Sequence, residues 1–152
     1  MLAANRIQCC VLLLSALFAA SGAARAAEFR SSAANGTILY DAPSKAAVPL
    51  YVLSPGYPLE VIVNLEAWVK VRDHTGTLSW VERRALAERR TVLVIAPAAE
   101  VRERPEESAP VVFRAMQFIA LDLVEVQASG WIRVQHADGA NGFLRANQLW
   151  GL

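Results

Sequence analysis

Apolar residues between positions 28 and 152 recur at the two-residue period of strands, not the 3.6-residue period of helices. Trp68-Val-Lys-Val-Arg72 and Trp131-Ile-Arg-Val-Gln135 alternate, with apolar residues on one face and basic or amide residues on the other. Turn chemistry follows each, in Asp73-His-Thr-Gly76 and in Ala137-Asp-Gly139, where glycine is available for a positive φ. Leu78 to Val81 and Gly142 to Leu144 then return as second hairpin arms. Leu59 to Val63 and Leu121 to Val126 are of strand length and largely apolar, and Phe29 to Ser31 and Thr91 to Ile95 are expected to form initial strands. None of the seven prolines falls inside a hairpin arm, as the missing N–H requires. Only Ala85 to Arg90 offers a helical stretch, and so short a segment makes a single turn at most.

The pattern is written twice. Trp68 matches Trp131, Val71 matches Val134, Gly76 matches Gly139, Trp80 matches Phe143, Val81 matches Leu144 and Leu86 matches Leu149, every pair 63 apart. Upstream, Val61 and Val63 fall on Val124 and Val126 at the same spacing, whereas Asp41-Ala-Pro43 aligns with Glu103-Arg-Pro105 at 62. Two units are therefore expected, 28–90 and 91–152, each a small, partly open barrel of five short strands. A barrel of about 60 residues buries only ~60% of its unfolded surface and is marginal alone. The connection at Ala87–Arg90 is short, so the two are expected to pack together as a compact tandem. The predicted fold class is all-β.

The N-terminal segment has another character. Arg6, the apolar run Val11 to Ala20 and the small-x-small site Ala24-Arg-Ala26 read as a secretory signal, residues 1–26, cleaved after Ala26. An uncleaved anchor is the alternative, but the run is short for the ~30 Å of a hydrocarbon core. Cys9 and Cys10 precede the apolar run, so neither stands at the cleavage point where a lipoprotein needs its cysteine. Their loss with the signal leaves 126 residues without a thiol, which excludes disulfides, thiolate metal sites and a cysteine nucleophile. It also removes Arg6 and Arg25, leaving 13 basic against 14 acidic side chains, interspersed. That balance supplies no electrostatic reason to bind nucleic acid. The membrane is expected to matter only during export, and the periplasm is the expected compartment.

Ala99-Glu-Val-Arg-Glu-Arg-Pro105, Ala109-Pro-Val-Val112, Gly130-Trp-Ile-Arg-Val134, Asp138-Gly139, Gly142-Phe-Leu144 and Leu149-Trp-Gly-Leu152 together resemble a bacterial SH3-like domain of the exported proteobacterial kind. Residues 28–90 look like a divergent copy. Leu39-Tyr-Asp-Ala-Pro43 stands where the family has a Val-Arg-x-x-Pro run, and Ser79 where it has glycine before the aromatic. The resemblance implies SH3-like barrels and a binding role, towards cell-wall peptidoglycan or peptide segments. Family members often accompany a catalytic domain, and none is expected here.

The chemistry-bearing residues agree with binding. There is no Gly-x-Ser-x-Gly elbow, and His74 and His136 stand alone in or beside turns, with no ligand cluster around either. No metal and no cofactor is expected. Glu106 and Glu107 among Arg102, Glu103 and Arg104 read as a solvated face. Arg83-Arg84 and Arg89-Arg90 could meet anionic lipid or an acidic partner, but Glu82 and Glu88 balance them and favour a solvated linker. The aromatics are the better candidates: Tyr40, Tyr51 and Tyr57 in the loop-rich first half of unit one, Trp68 at the head of its hairpin, and Trp131 in unit two. These either form a shallow groove for sugars or an extended peptide, or pack the interface between units. Trp80, Phe143 and Val81 are assigned to packing, and Trp150 to the end of a barrel. The reading is a non-catalytic exported binding or scaffolding protein, engaging peptidoglycan or an envelope protein. The alternatives are an accessory to an envelope enzyme and a purely structural protein with no small ligand.

Overall fold

A computed structural model gives the structure of residues 26–152; the expected signal segment lies outside the described residues apart from Ala26. The first sheet holds β1 (Phe29–Ser32), β2 (Thr37–Tyr40), β3 (Pro49–Leu53), β4 (Pro58–Asn64), β5 (Trp68–Arg72), β6 (Leu78–Glu82) and β7 (Leu86–Ala87), in the order β3-β2-β6-β5-β4-β1-β7. The second holds β8 (Thr91–Val94), β9 (Ala98–Arg102), β10 (Val111–Met116), β11 (Ala120–Val126), β12 (Trp131–Gln135), β13 (Asn141–Arg145) and β14 (Leu149–Trp150), in the same order, β10-β9-β13-β12-β11-β8-β14. All pairings are antiparallel. The fold is all-β and tandem. Seven segments replace the expected five because the proline-rich loop pairs as β3 and the chain pairs again with β1 after a turn.

That turn is a 3-10 turn at Arg83–Ala85, closed by the Leu86 N–H on the Arg83 carbonyl. It therefore lies before most of the Ala85–Arg90 stretch, because Leu86 and Ala87 are drawn into the ladder opposite Ser32 and Ser31. Unit two repeats it at Ala146–Gln148.

Strand register corrects the repeat. Glu60 pairs with Phe29 on one side and Arg72 on the other, as Asp122 pairs with Thr91 and Gln135. The offset between the units is thus 62 through β4 and 63 only from Trp68 onward. The additional residue sits in the hairpin turn, Gln127–Gly130 against 65–67. Val61 corresponds to Leu123 and Val63 to Glu125, not to Val124 and Val126. A one-residue slip would have turned every buried side chain of the strand outward, and Leu59 and Leu121 are both almost fully buried.

The cores differ in size and polarity. Unit one gathers Leu39, Leu53, Leu59, Val69, Val71 and Val81, and unit two gathers ten buried residues, from Val92 to Leu149. Where unit two buries Leu93 and Val94, unit one buries Ser31 and Ser32. Both serines are satisfied. Ser31 Oγ donates to the Arg89 carbonyl at 2.8 Å; Ser32 Oγ donates to the Ser54 carbonyl at 2.6 Å and accepts from the Tyr57 N–H at 2.8 Å.

The two barrels touch through side chains. Trp150 meets Phe29 edge to face, centroids 5.2 Å apart, so it packs across the junction instead of closing its own barrel end. Arg90 lies over the Phe29 ring and donates to the Gly151 carbonyl at 3.0 Å, and Arg89 pairs with Asp122 at 3.0 Å.

Candidate functional site

Alternation along β5 and β6 decides which side chains look outward. Val69, Val71 and Val81 enter the core, which turns Trp68, Lys70 and Trp80 to the outer face. Strand β2 continues this face, because Leu39 is buried and Tyr40 stands opposite Trp80 in the ladder. Tyr40 meets Trp68 at 86° with centroids 5.5 Å apart, and Lys70 Nζ lies 5.8 Å from the Trp80 ring centre. All four are half-buried. Beside Tyr40 runs a groove of about 290 Å³, walled by Asn35, Gly36, Ile38, Glu82 and Arg84. Arg84 donates to Glu82 at 2.8 Å, and that hydrogen bond holds the Glu82 carboxyl below its ordinary range. The arrangement offers aromatic edges and faces beside fixed cations, suited to stacking on a flat polar ligand and pairing with its anionic groups.

The structure brings together two of the five aromatics chosen from sequence, Tyr40 and Trp68. Trp80, assigned to packing, joins them on the outer face; the signal was present, since it lies on the Lys70 side of the hairpin. Phe143, its counterpart, is likewise half-buried on an outer face, while Val81 is fully buried as expected. Tyr51 is on the edge strand β3, more than half exposed and paired in the ladder with Leu39. Tyr57 turns the other way, to the junction, with its hydroxyl bonded to His74 Nδ1 and its ring 6.0 Å from the imidazole. Burial, aided by the nearby Asp73 carboxylate, pushes the Tyr57 phenol up to about 12. Tyr40 and Tyr51 are on strands rather than the loops expected of a proline-rich stretch, because β2 and β3 pair along Thr37–Leu53 to Tyr40–Pro49.

Trp131 is only 4% exposed. The Arg145 guanidinium lies 4.1 Å from the ring centre and pairs with Glu107 at 2.8 Å. Arg102 stands in the place of Tyr40, opposite Phe143, and is held by Glu100 at 2.7 Å and by the Ala109 carbonyl at 2.8 Å. The second face is therefore covered by its own side chains. Arg145 and Glu107 correspond to Glu82 and Lys45 of unit one, which also pair, at 3.7 Å. The same contact is made with its charges exchanged.

Among the described residues no group of three or more His, Cys, Asp or Glu could hold a metal ion. The sequence profile of the bacterial SH3 domain matches residues 33–88 and again 96–151, most of the chain. This chain belongs to the bacterial SH3 domain family. Bacterial SH3 domains are binding modules, and both copies here have that fold. No curated protein sequence matches the chain. Solved structures similar to it include NlpC1 of Trichomonas vaginalis (17% identity over 90% of this chain and 50% of that one, TM-score 0.37). NlpC2 of the same organism is 16% identical over 82% and 48%, TM-score 0.36. An NlpC/P60 family protein from Bacillus cereus is 16% identical over 80% and 55%, TM-score 0.38. The bacterial SH3 pair thus spans about half the length of each.

Proposed function

We propose that this tandem bacterial SH3 protein is exported to the periplasm as a non-catalytic binding module and engages peptidoglycan through the outer face of its first barrel. The observation that carries the reading is the uncovered Tyr40–Trp68 pair with Trp80 and Lys70 beside it, against the covered Trp131 at the same place in unit two. Amino sugars present flat, weakly polar faces that stack on such rings, and the carboxylates of a wall peptide would meet Lys70 and Arg84. Membership of a family of binding modules supports the same class of activity. The signal pattern at residues 1–26 supports export.

The test is co-sedimentation of the purified protein with isolated sacculi. The unaltered protein is expected in the pellet, and Tyr40→Ala with Trp68→Ala is expected in the supernatant while a thermal melt shows it still folded at the assay temperature. Failure of the unaltered protein to sediment, or hydrolysis of wall fragments by pure protein, would overturn the reading.

A further inference from the structure

The free edges of the two sheets are unlike. Among the described residues strand β3 is outermost in the first sheet and pairs with β2 alone. Alternate residues of such a strand turn N–H and C=O groups away from the ladder, a template for one more strand. No charged residue occurs from Ala46 to Leu59, and Leu50, Tyr51 and Val52 are all exposed, Val52 at 69%. Strand β10 holds the same place in the second sheet. There Arg114 stands opposite Glu100 and pairs with it at 2.9 Å. The corresponding positions in the first sheet are Val52 and Ile38. Charge on an edge resists strand addition. One edge is guarded by charge; the other is bare of it and has only Pro49, at the head of β3, to lack a strand N–H.

The bare strand runs into a cleft of about 440 Å³ between the barrels, walled by Val52, Leu53 and Tyr57 on one side and Phe118, Ile119 and His136 on the other. No Asp, Glu, Lys or Arg lines it among the described residues. Phe118 adopts φ 66°, alone among the described non-glycine residues in having a positive φ. At the matching turn, unit one has Gly56 at φ 75°. A left-handed conformation costs a bulky residue about 1 kcal/mol or more, so a turn that glycine would make without strain instead presents an aromatic ring. That ring is 55% exposed and sits 5.1 Å from His74 across the junction.

We propose that the edge of β3 and this cleft together dock an extended, uncharged peptide segment of a partner protein. The unpaired backbone of β3 selects an extended chain, which adds as a further strand. The walls, which carry no Asp, Glu, Lys or Arg, select an apolar side chain, seated against Phe118 and Ile119. None of Tyr40, Trp68, Trp80 or Lys70 takes part, so this surface stands or falls independently of wall binding.

The probe is an array of capped hexapeptides built only from Val, Ile, Phe, Tyr, Thr and Ser. It is read beside the same peptides carrying a central Lys or Glu, and beside versions N-methylated at alternate residues. The unaltered protein is expected to bind members of the uncharged set and to lose at least about tenfold in affinity towards charged and N-methylated versions, since methylation removes strand donors. Two variants exchange residues between the units: Val52→Arg and Phe118→Gly. Each is expected to weaken binding about tenfold or more while leaving the unfolding midpoint close to that of the unaltered protein. The N-methyl comparison is made on the unaltered protein and does not depend on either variant folding. The proposal is overturned if no peptide binds, if N-methylation has no effect, or if both variants bind normally. A dimer that Val52→Arg turns into a monomer would also overturn it, since a second copy would then occupy the edge.

Discussion

The outer faces of the two barrels are built on equivalent strands, yet one is open and the other covered. In unit one, Tyr40 and Trp68 meet edge to face and leave their remaining surface to solvent or a ligand. In unit two, Arg102 replaces the tyrosine, and the Arg145 guanidinium lies over the tryptophan ring, anchored by Glu107. An arginine stacked on a tryptophan satisfies both, the guanidinium through the ring's negative face and the ring through lost water contact. Duplication has therefore left one module with an open aromatic face and the other with a larger apolar core. The division reaches the interior, where the first barrel buries two serines at the places of the second barrel's Leu93 and Val94.

The largest test of this comparison exchanges the tryptophans for alanine. Trp131→Ala is expected to cost about 3–5 kcal/mol, as for a buried aromatic, and to leave retention on sacculi intact wherever the protein remains folded. Trp68→Ala is expected to cost about 1–2 kcal/mol because the ring is only half-buried, and to reduce retention about tenfold, the scale of one lost stacking contact. Equal losses of stability in the two would erase the distinction between open and covered faces.

Next comes the residue before the outer aromatic. Gly142 lies so close to β9 that an added Cβ would sit 2.5 Å from the Arg102 carbonyl oxygen and 2.8 Å from Val101 Cγ1. Gly142→Ser is expected to destabilise the second barrel by about 1–3 kcal/mol or more through overpacking. Unit one carries Ser79 at this point, 2% exposed and with no partner for its hydroxyl among the described residues. Ser79→Ala is expected to raise stability by about 1 kcal/mol, the lower end of what an unsatisfied buried hydroxyl costs. Chemical denaturation measures both, and a stabilising Gly142→Ser would refute the close approach.

Alkaline titration separates the junction from the faces. The Tyr57 phenol is held at about 12 in the fold, against ~10 in an unfolded chain. Its neutral form is therefore favoured by folding. The contribution is fully present below about pH 10 and is lost as pH rises through 12. Thermal melts between pH 9 and 12 are expected to fall more steeply for the unaltered protein than for Tyr57→Phe. Parallel curves would place the phenol in ordinary solvent.

The smallest effect concerns the exchanged ion pair. Lys45→Glu or Glu82→Arg alone is expected to cost only a few tenths of a kcal/mol, since exposed pairs are worth ~0–1. The double variant, which copies the charge order of Glu107 and Arg145, is expected to recover that loss in a thermal melt.

Much of this architecture can be read from the chain. The hairpins at Trp68–Val81 and Trp131–Leu144 are legible because their apolar residues alternate and their turns carry glycine, both local properties. Turn chemistry likewise marks where the strands reverse, and the duplication is plain from matched tryptophans and glycines. The signal segment was read from the sequence alone. The strand β3 and the turns after β6 and β13 were missed, since short segments acquire their conformation from pairing and not from propensity. The displaced register of β4 was missed for a related reason: Val61, Ile62 and Val63 give no alternation with which to choose between offsets of 62 and 63.

The candidate site divides in the same way. Aromatic composition alone nominated Tyr40, Tyr51, Tyr57, Trp68 and Trp131, and composition could not say which of them shared a surface. Contacts between residues 28 positions apart made Tyr40 and Trp68 neighbours, sent Tyr57 to His74 at the junction, and buried Trp131 beneath an arginine. Sequence by itself determined the all-β character, the two units and the absence of thiols after residue 10, because period, repetition and composition are properties of the chain. Only the tertiary structure decided which tryptophan is open, which edge is guarded and what Phe118 faces, because each of these depends on a non-local partner brought into contact by folding.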